Sequence, residues 1–268
     1  MAKSTGASSA VAEAKRAALA QARAQSRRRA VGWSVAGLVV VALFVALIAY
    51  IVRQGDVSEV GGEGQLDLAV ASDNGGIPVG AEGVVGQDVD PSRVRLDVYF
   101  DFICPACGGF EQMHSETMSE LRAEGILDVY YHPIATLDRT SLGTKYSTRA
   151  ASAAALVGAE SPTEFLAFME AMFVNQPAEG TEGLTDEQIQ AIASQVGVAD
   201  VVVARIPDHE YESWVRVSTE TAREDGLLFT PTIAINGEMQ NPRDNPGDLN
   251  WTVEGAFEQA IRDADGGE

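Results

Sequence analysis

The stretch "VRLDVYFDFICPACGGF", residues 94–110, holds both cysteines of the chain, and its reading decides the fold. Val94 to Phe100 alternates and is rich in β-branched and aromatic residues, the pattern of a strand. Cys104 and Cys107 follow, with Pro105 suited to the first turn of a helix. Phe110, Met113, Met118 and Leu121 then fall on one arc of a helical wheel. The strand therefore delivers a Cys-x-x-Cys to a helix start. There, unpaired backbone N–H groups and the positive end of the helix dipole favour a thiolate at Cys104. The thiolate is the nucleophile of disulfide exchange, and Cys107, one turn later, can reach back to resolve a mixed disulfide.

Other uses of the pair are weaker. A static disulfide closing so short a loop would stabilise the fold by only about 2 kcal/mol. A zinc site needs four ligands, and only His114, His132 and His209 could join, without paired spacing. Two unconnected buried thiols would be odd in an exported protein.

Downstream, "ILDVYY" (126–131) reads as a second strand, with Gly125 ending the helix before it and Pro133 stopping it. "KYSTRAASAAALVGA" is helix-prone. "SPTEFLAFMEAMF" predicts a helix capped by Ser161, with Pro162 at the first position and Glu164 closing a capping box. Its Phe165, Phe168, Met169 and Met172 read as core. "LTDEQIQAIASQVG" repeats the device with Thr185 and Gln188, a Leu184–Ile189 staple and Gly197 at the end. A further helix is expected over 211–225. "TIAI" (232–235) is a strand, Asn236-Gly237 a hairpin turn, and 251–264 a closing helix with Val253, Ala256, Phe257, Ala260 and Ile261 on one face.

Upstream, the 268-residue chain has a net charge of -20, unevenly spread. Residues 1–30 carry Lys3, Lys15, Arg16, Arg23, Arg27, Arg28 and Arg29 against Glu13 alone. Val31–Val52 is uncharged and, as a helix, would span roughly 33 Å, enough to cross a bilayer. "IAYIVRQGD" offers no small-x-small cleavage site, so an uncleaved anchor is expected. The basic flank places the N-terminus in the cytosol and the rest outside. Anionic lipid is the expected contact of that flank, and no nucleic-acid partner is expected. Residues 53–92, rich in Gly and acids, read as a flexible linker with a short edge strand near 76–80. The folded domain, 93–268, is expected to begin near Ser92.

Strand–"FICPAC"–helix, followed over a hundred residues later by "FTPTIAING", resembles the DsbA-like branch of the thioredoxin superfamily. "YYHPIATLDR…KYSTRAASAA" looks like the membrane-anchored DsbA-like proteins of actinobacteria. The resemblance covers about residues 76–264. It implies an α/β thioredoxin fold with a helical insertion at about 142–206, preceded by one transmembrane helix. It implies a thiol–disulfide oxidoreductase that introduces disulfides into exported proteins through Cys104 and Cys107, without cofactor or metal. It also implies re-oxidation by a quinone-linked membrane enzyme of the DsbB or VKOR type. Thr230 and Pro231 match the threonine and cis-proline that pack beside the disulfide and hold the substrate backbone. Pro105 and Ala106 sit between the cysteines; Ala106 replaces a frequent histidine, which implies weaker oxidising power. The buried acid often found six residues before the first cysteine is Val98 here. Asp101 either assists proton transfer near Cys107 or, the favoured reading, is a solvated turn acid. His132 and Asp138 read as structural. A reductase or isomerase, or a redox-inert peptide-binding module, is the competing reading.

Overall fold

The computed structural model describes residues 68–266. The basic segment, the expected span at 31–52 and residues 53–67 of the linker lie outside the described residues. Among the described residues no helix is long and apolar enough to cross a membrane.

Five strands form one mixed sheet: β1 (Ile77–Val79), β2 (Val94–Phe100), β3 (Leu127–Pro133), β4 (Thr232–Ile235) and β5 (Glu238–Gln240), in the order β1-β3-β2-β4-β5. β2 pairs parallel with β3 and antiparallel with β4. That places β2 at the centre, so the chain leaving its C-terminal end emerges between two neighbours. α1 (Pro105–Ala123) starts there and bridges β2 to β3. Parallel pairing requires such a crossover. Phe110, His114, Met118 and Leu121 form its buried face, and Phe257 and Ile261 of α7 (Ala256–Asp265) are buried in the same core. On the other face of the sheet Tyr99, Ile134, Ala222 and Leu227 make a smaller cluster.

Between β3 and β4 the chain builds a helical layer: α2 (Tyr146–Glu160), α3 (Phe165–Val174), α4 (Asp186–Gln195), the single turn α5 (Asp200–Val203) and α6 (Glu212–Glu224). α2, rich in alanine and small polar residues, is buried on nearly every side. Its alanines let neighbouring helices approach closely. Phe165, Phe168, Met169 and Met172 are buried as expected. Thr185 and Gln188 form the capping box in both directions. Asn236 and Gly237, both at positive φ, make the turn between β4 and β5, the geometry that matches strand twist.

Several expectations are corrected. The folded unit starts at least as early as Leu68, not near Ser92: Leu68, Ile77, Val79 and Val85 are buried, and β1 pairs with β3. Those apolar side chains, spaced among glycines and acids, cover the outer edge of β3. Ser161 does not cap α3. It ends α2, its N–H bonded to Val157 O, and α3 begins at Phe165 without a side-chain cap. The closing helix begins at Ala256, because Gly255 adopts φ +74°, a conformation no helix interior accepts; Val253 is correspondingly exposed. Met113 faces solvent and His114 takes the inward position. β3 continues through Pro133, paired with Phe100. The missing Pro133 N–H points to the side where pairing with β1 has already stopped at Tyr131, so the proline interrupts nothing.

Candidate active site

Cys104 is the N-cap of α1, in extended backbone conformation, with Pro105 at the first helical position. Both cysteines are free thiols and both are buried. Cys104 Sγ lies 3.3 Å from Thr230 O, and the Thr230–Pro231 peptide is cis. The turn into β4 thus brings the two residues marked by resemblance against the reactive sulfur, 126 positions away along the chain. Pro105 and Ala106 are exposed, so the outer side of the pair is open.

The two thiols are driven apart electrostatically. The Cys107 thiol bonds to Cys104, and with Thr230 and the N–H groups of Ala106 and Cys107 it outweighs burial and draws the Cys104 thiol down to about 6. Burial pushes the Cys107 thiol well up, and the adjacent Cys104 charge adds to it. Cys104 is therefore the ionised attacking group, and Cys107 stays protonated as its donor.

Asp101 is not the solvated acid that composition favours. It is fully buried, and its carboxylate accepts from Ile103 N at 3.2 Å and Leu137 N at 2.9 Å. Burial raises its carboxyl to about 6. It fastens the loop between β2 and the cysteines to the loop after β3. Val98, at the place of the family's acid, is buried among apolar residues. The other buried acid of this strand, Asp97, takes Arg95 and His132 as partners at 2.6 Å and 2.8 Å. Asp138 caps α2 through Thr148 N and Thr148 Oγ1. His132 and Asp138 are thus structural, as read from sequence.

One contributor was missed. Gln176, just after α3, donates to Phe102 O at 3.0 Å and Cys104 O at 2.9 Å. It lies so close to α1 that a Cβ at Gly108 would stand 2.5 Å from its Oε1. The only trace in sequence is the glycine directly after Cys107, which has no meaning until α3 is packed there. Phe173 joins the same support, its ring 5.2 Å from that of Phe102.

A thioredoxin family model matches residues 84–254. The DsbA of Mycobacterium tuberculosis, oxidised, superposes with a TM-score of 0.58 at 28% identity, covering 71% of this chain and 93% of that one. The reduced disulfide oxidoreductase DsbG of the same organism gives 0.54 at 27%, covering 74% and 95%. BdbD of Bacillus subtilis gives 0.58 at 18%, covering 73% and 96%, a likeness of fold. Among curated sequences, the serine/threonine-protein kinase PknE of M. tuberculosis is 32% identical over 126 residues, 46% of this chain. The match spans only 22% of that kinase's length.

Proposed function

The chain belongs to the thioredoxin family and is a thiol–disulfide oxidoreductase of the DsbA-like kind, and from that premise we propose that it runs as an oxidase, donating the Cys104–Cys107 disulfide to exported proteins. The observation that carries this direction is the opposed titration of the pair, Cys104 drawn down to about 6 and Cys107 pushed up. A stabilised thiolate stabilises the reduced form, and the disulfide becomes the stronger oxidant. In the forward reaction a substrate thiolate attacks the Cys104 sulfur and the Cys107 sulfur leaves and takes up a proton. The substrate's second thiolate then attacks its own mixed-disulfide sulfur and expels the Cys104 thiolate, a good leaving group at neutral pH. Two electrons pass from substrate to enzyme; of the substrate's two protons one ends on Cys107 and the other in solvent while Cys104 remains a thiolate. Thr230, beside Cys104, would take the backbone of the bound segment.

The same reading places the domain outside the membrane, held by the 31–52 span, with anionic lipid against the basic N-terminal segment. A quinone-linked partner of the DsbB or VKOR type would restore the disulfide. Protease added to intact spheroplasts should remove the domain; protection would overturn this placement.

The direction is tested by equilibrating the chain in glutathione buffers. A potential of about -120 to -180 mV is expected of an oxidant, whereas a value near about -270 mV would assign a reductase. Cys104→Ser should abolish exchange, and Cys107→Ser should accumulate mixed disulfides at Cys104. Full activity in Cys104→Ser would sink the mechanism. Ala106→His, which restores a donor beside the thiolate, should move the potential upward.

A further inference from the structure

Cys104 lines one of two clefts that share the wall formed by Phe229 and Thr230, and Ala106, two residues on, lines the other. One, of about 380 Å³, runs from Cys104 past Arg139, Glu179, Arg223 and Leu228. The other, of about 260 Å³, runs from Ala106 past Pro231, Arg243 and Trp251. Three guanidinium groups thus line the two clefts, with Glu179 the one carboxylate among the lining residues of the first, Glu220 paired to Arg223, and no Asp or Glu lining the second. This cationic rim belongs to a chain whose net charge is -20.

Two of the three rim arginines, Arg139 and Arg243, form no ion pair with a carboxylate among the described residues. Arg93, Arg95, Arg149, Arg205 and Arg262 each form an ion pair with a carboxylate. Arg139 donates only to the carbonyl of Thr136, at 3.0 Å. Arg243 lies over the Phe229 ring, 4.7 Å from its centroid, and forms no ion pair among the described residues. Arg223 reaches Glu220 at 3.5 Å on the same exposed helix face. The forks of Arg139 and Arg243 are available for a ligand, Arg223 shares its own with Glu220, and a planar fork fits a carboxylate in two-point geometry.

We propose that the segments this site oxidises carry carboxylate side chains close to the reacting cysteine, received by Arg139 and Arg223 on one side and by Arg243 on the other. The proposal rests on the oxidoreductase reading and adds the class of substrate. Carboxylates beside a thiol raise its pKa and slow unassisted exchange, so such cysteines gain most from cations at the rim. The acidic body opposes them only at long range, where salt screens beyond about 8 Å, whereas the arginines act at contact. Leu228, 73% exposed at the same cleft, offers apolar surface to the stem of the bound side chain. Glu179 counteracts the preference on its own side.

The test uses the full oxidised chain and three two-cysteine peptides that differ only in Glu, Gln or Lys next to the cysteines. Loss of the enzyme disulfide is followed by quenched alkylation. Each peptide's two thiols supply two electrons and two protons and end as a peptide disulfide. Each rate is divided by the same peptide's rate with oxidised glutathione, which removes its intrinsic reactivity. The Glu peptide is expected to lead the Lys peptide by roughly three- to tenfold at low salt. That ratio should fall towards one at about 1 M salt, where the Debye length is about 3 Å. It should also fall when Arg139→Gln, Arg223→Gln and Arg243→Gln are combined. Equal normalised rates in the unaltered chain overturn the charge preference and leave the oxidoreductase reading standing. A preference that survives the triple substitution overturns the assignment to these arginines. So does an unchanged peptide ratio with slowed re-oxidation by membranes, which would give the rim to the re-oxidase. No exchange with any peptide overturns the oxidoreductase reading and this proposal together.

Discussion

Cys104 and Cys107 are three positions apart on one helical turn, and their thiols titrate in opposite directions. Cys104 is held down first by the Cys107 thiol, with Thr230 and the N–H groups of the helix start adding to it. The deeper sulfur feels mainly the loss of water. Alkylation of reduced Cys104 should therefore rise with pH through a midpoint near 6, while Cys107 stays unlabelled in the folded chain. Because the Cys107 thiol is the largest influence holding Cys104 down, Cys107→Ala should move that midpoint upward; an unmoved midpoint would mean that the helix start alone suffices. The sign for stability follows. A folded-state pKa below the unfolded one stabilises the reduced chain above about pH 8.5, and this contribution is lost as pH falls through 6. The reduced form should accordingly lose denaturant resistance relative to Cys104→Ser between about pH 8 and pH 5.

At the scale of elements, the site is held by what packs on α1 from behind. Gln176 fixes the carbonyls of Phe102 and Cys104, and Phe173 stacks against the Phe102 ring. Gln176→Ala leaves two carbonyls without that donor and should cost about 1–2 kcal/mol in unfolding free energy, with a shifted redox potential. Thr185→Ala, at the cap of α4, should cost about 1 kcal/mol and leave the potential unchanged. Equal effects of the two on the potential would show that Gln176 supports the fold alone. The contrast follows legibility. The Thr185–Gln188 box lies within four residues and could be read directly. The contact of Gln176 with Cys104 spans 72 positions and exists only once α3 lies against α1.

For the whole molecule, the segment before β2 is part of the fold rather than a tether. Asn74 donates to Asp97 at 3.2 Å and accepts from Arg95 at 2.8 Å, and Asp97 also takes the buried His132. Burial favours the neutral imidazole, and its Nε2–H donates a hydrogen bond to the Asp97 carboxylate. Burial pulls the Asp97 carboxyl upward, but these donors outweigh it and hold it below its ordinary value. A depressed carboxyl pKa stabilises above about pH 4 and is lost as the carboxylate is protonated below that. Asp97→Asn should flatten the acid limb of the stability curve, measured by denaturant titration between about pH 2 and pH 5; an unchanged limb would place the acid sensitivity elsewhere.

What the amino-acid order determined by itself was local. The strand–CPAC–helix unit, the capping box at Thr185 and the Asn236-Gly237 hairpin each rest on backbone preferences acting within a few residues. The order of elements followed from reading these in turn, and the nucleophile from the helix start at Cys104. Tertiary structure decided the rest. Asp101 is buried where the loop after β3 closes over it, Leu137 N donating from that loop and Ile103 N from its own. Ser161 ends one helix instead of starting the next because the core claims Phe165. The arginines of the rim come from three separate segments and meet only around the cis Thr230–Pro231 bond. Such contacts depend on which surfaces pack together, and no spacing along the chain encodes that.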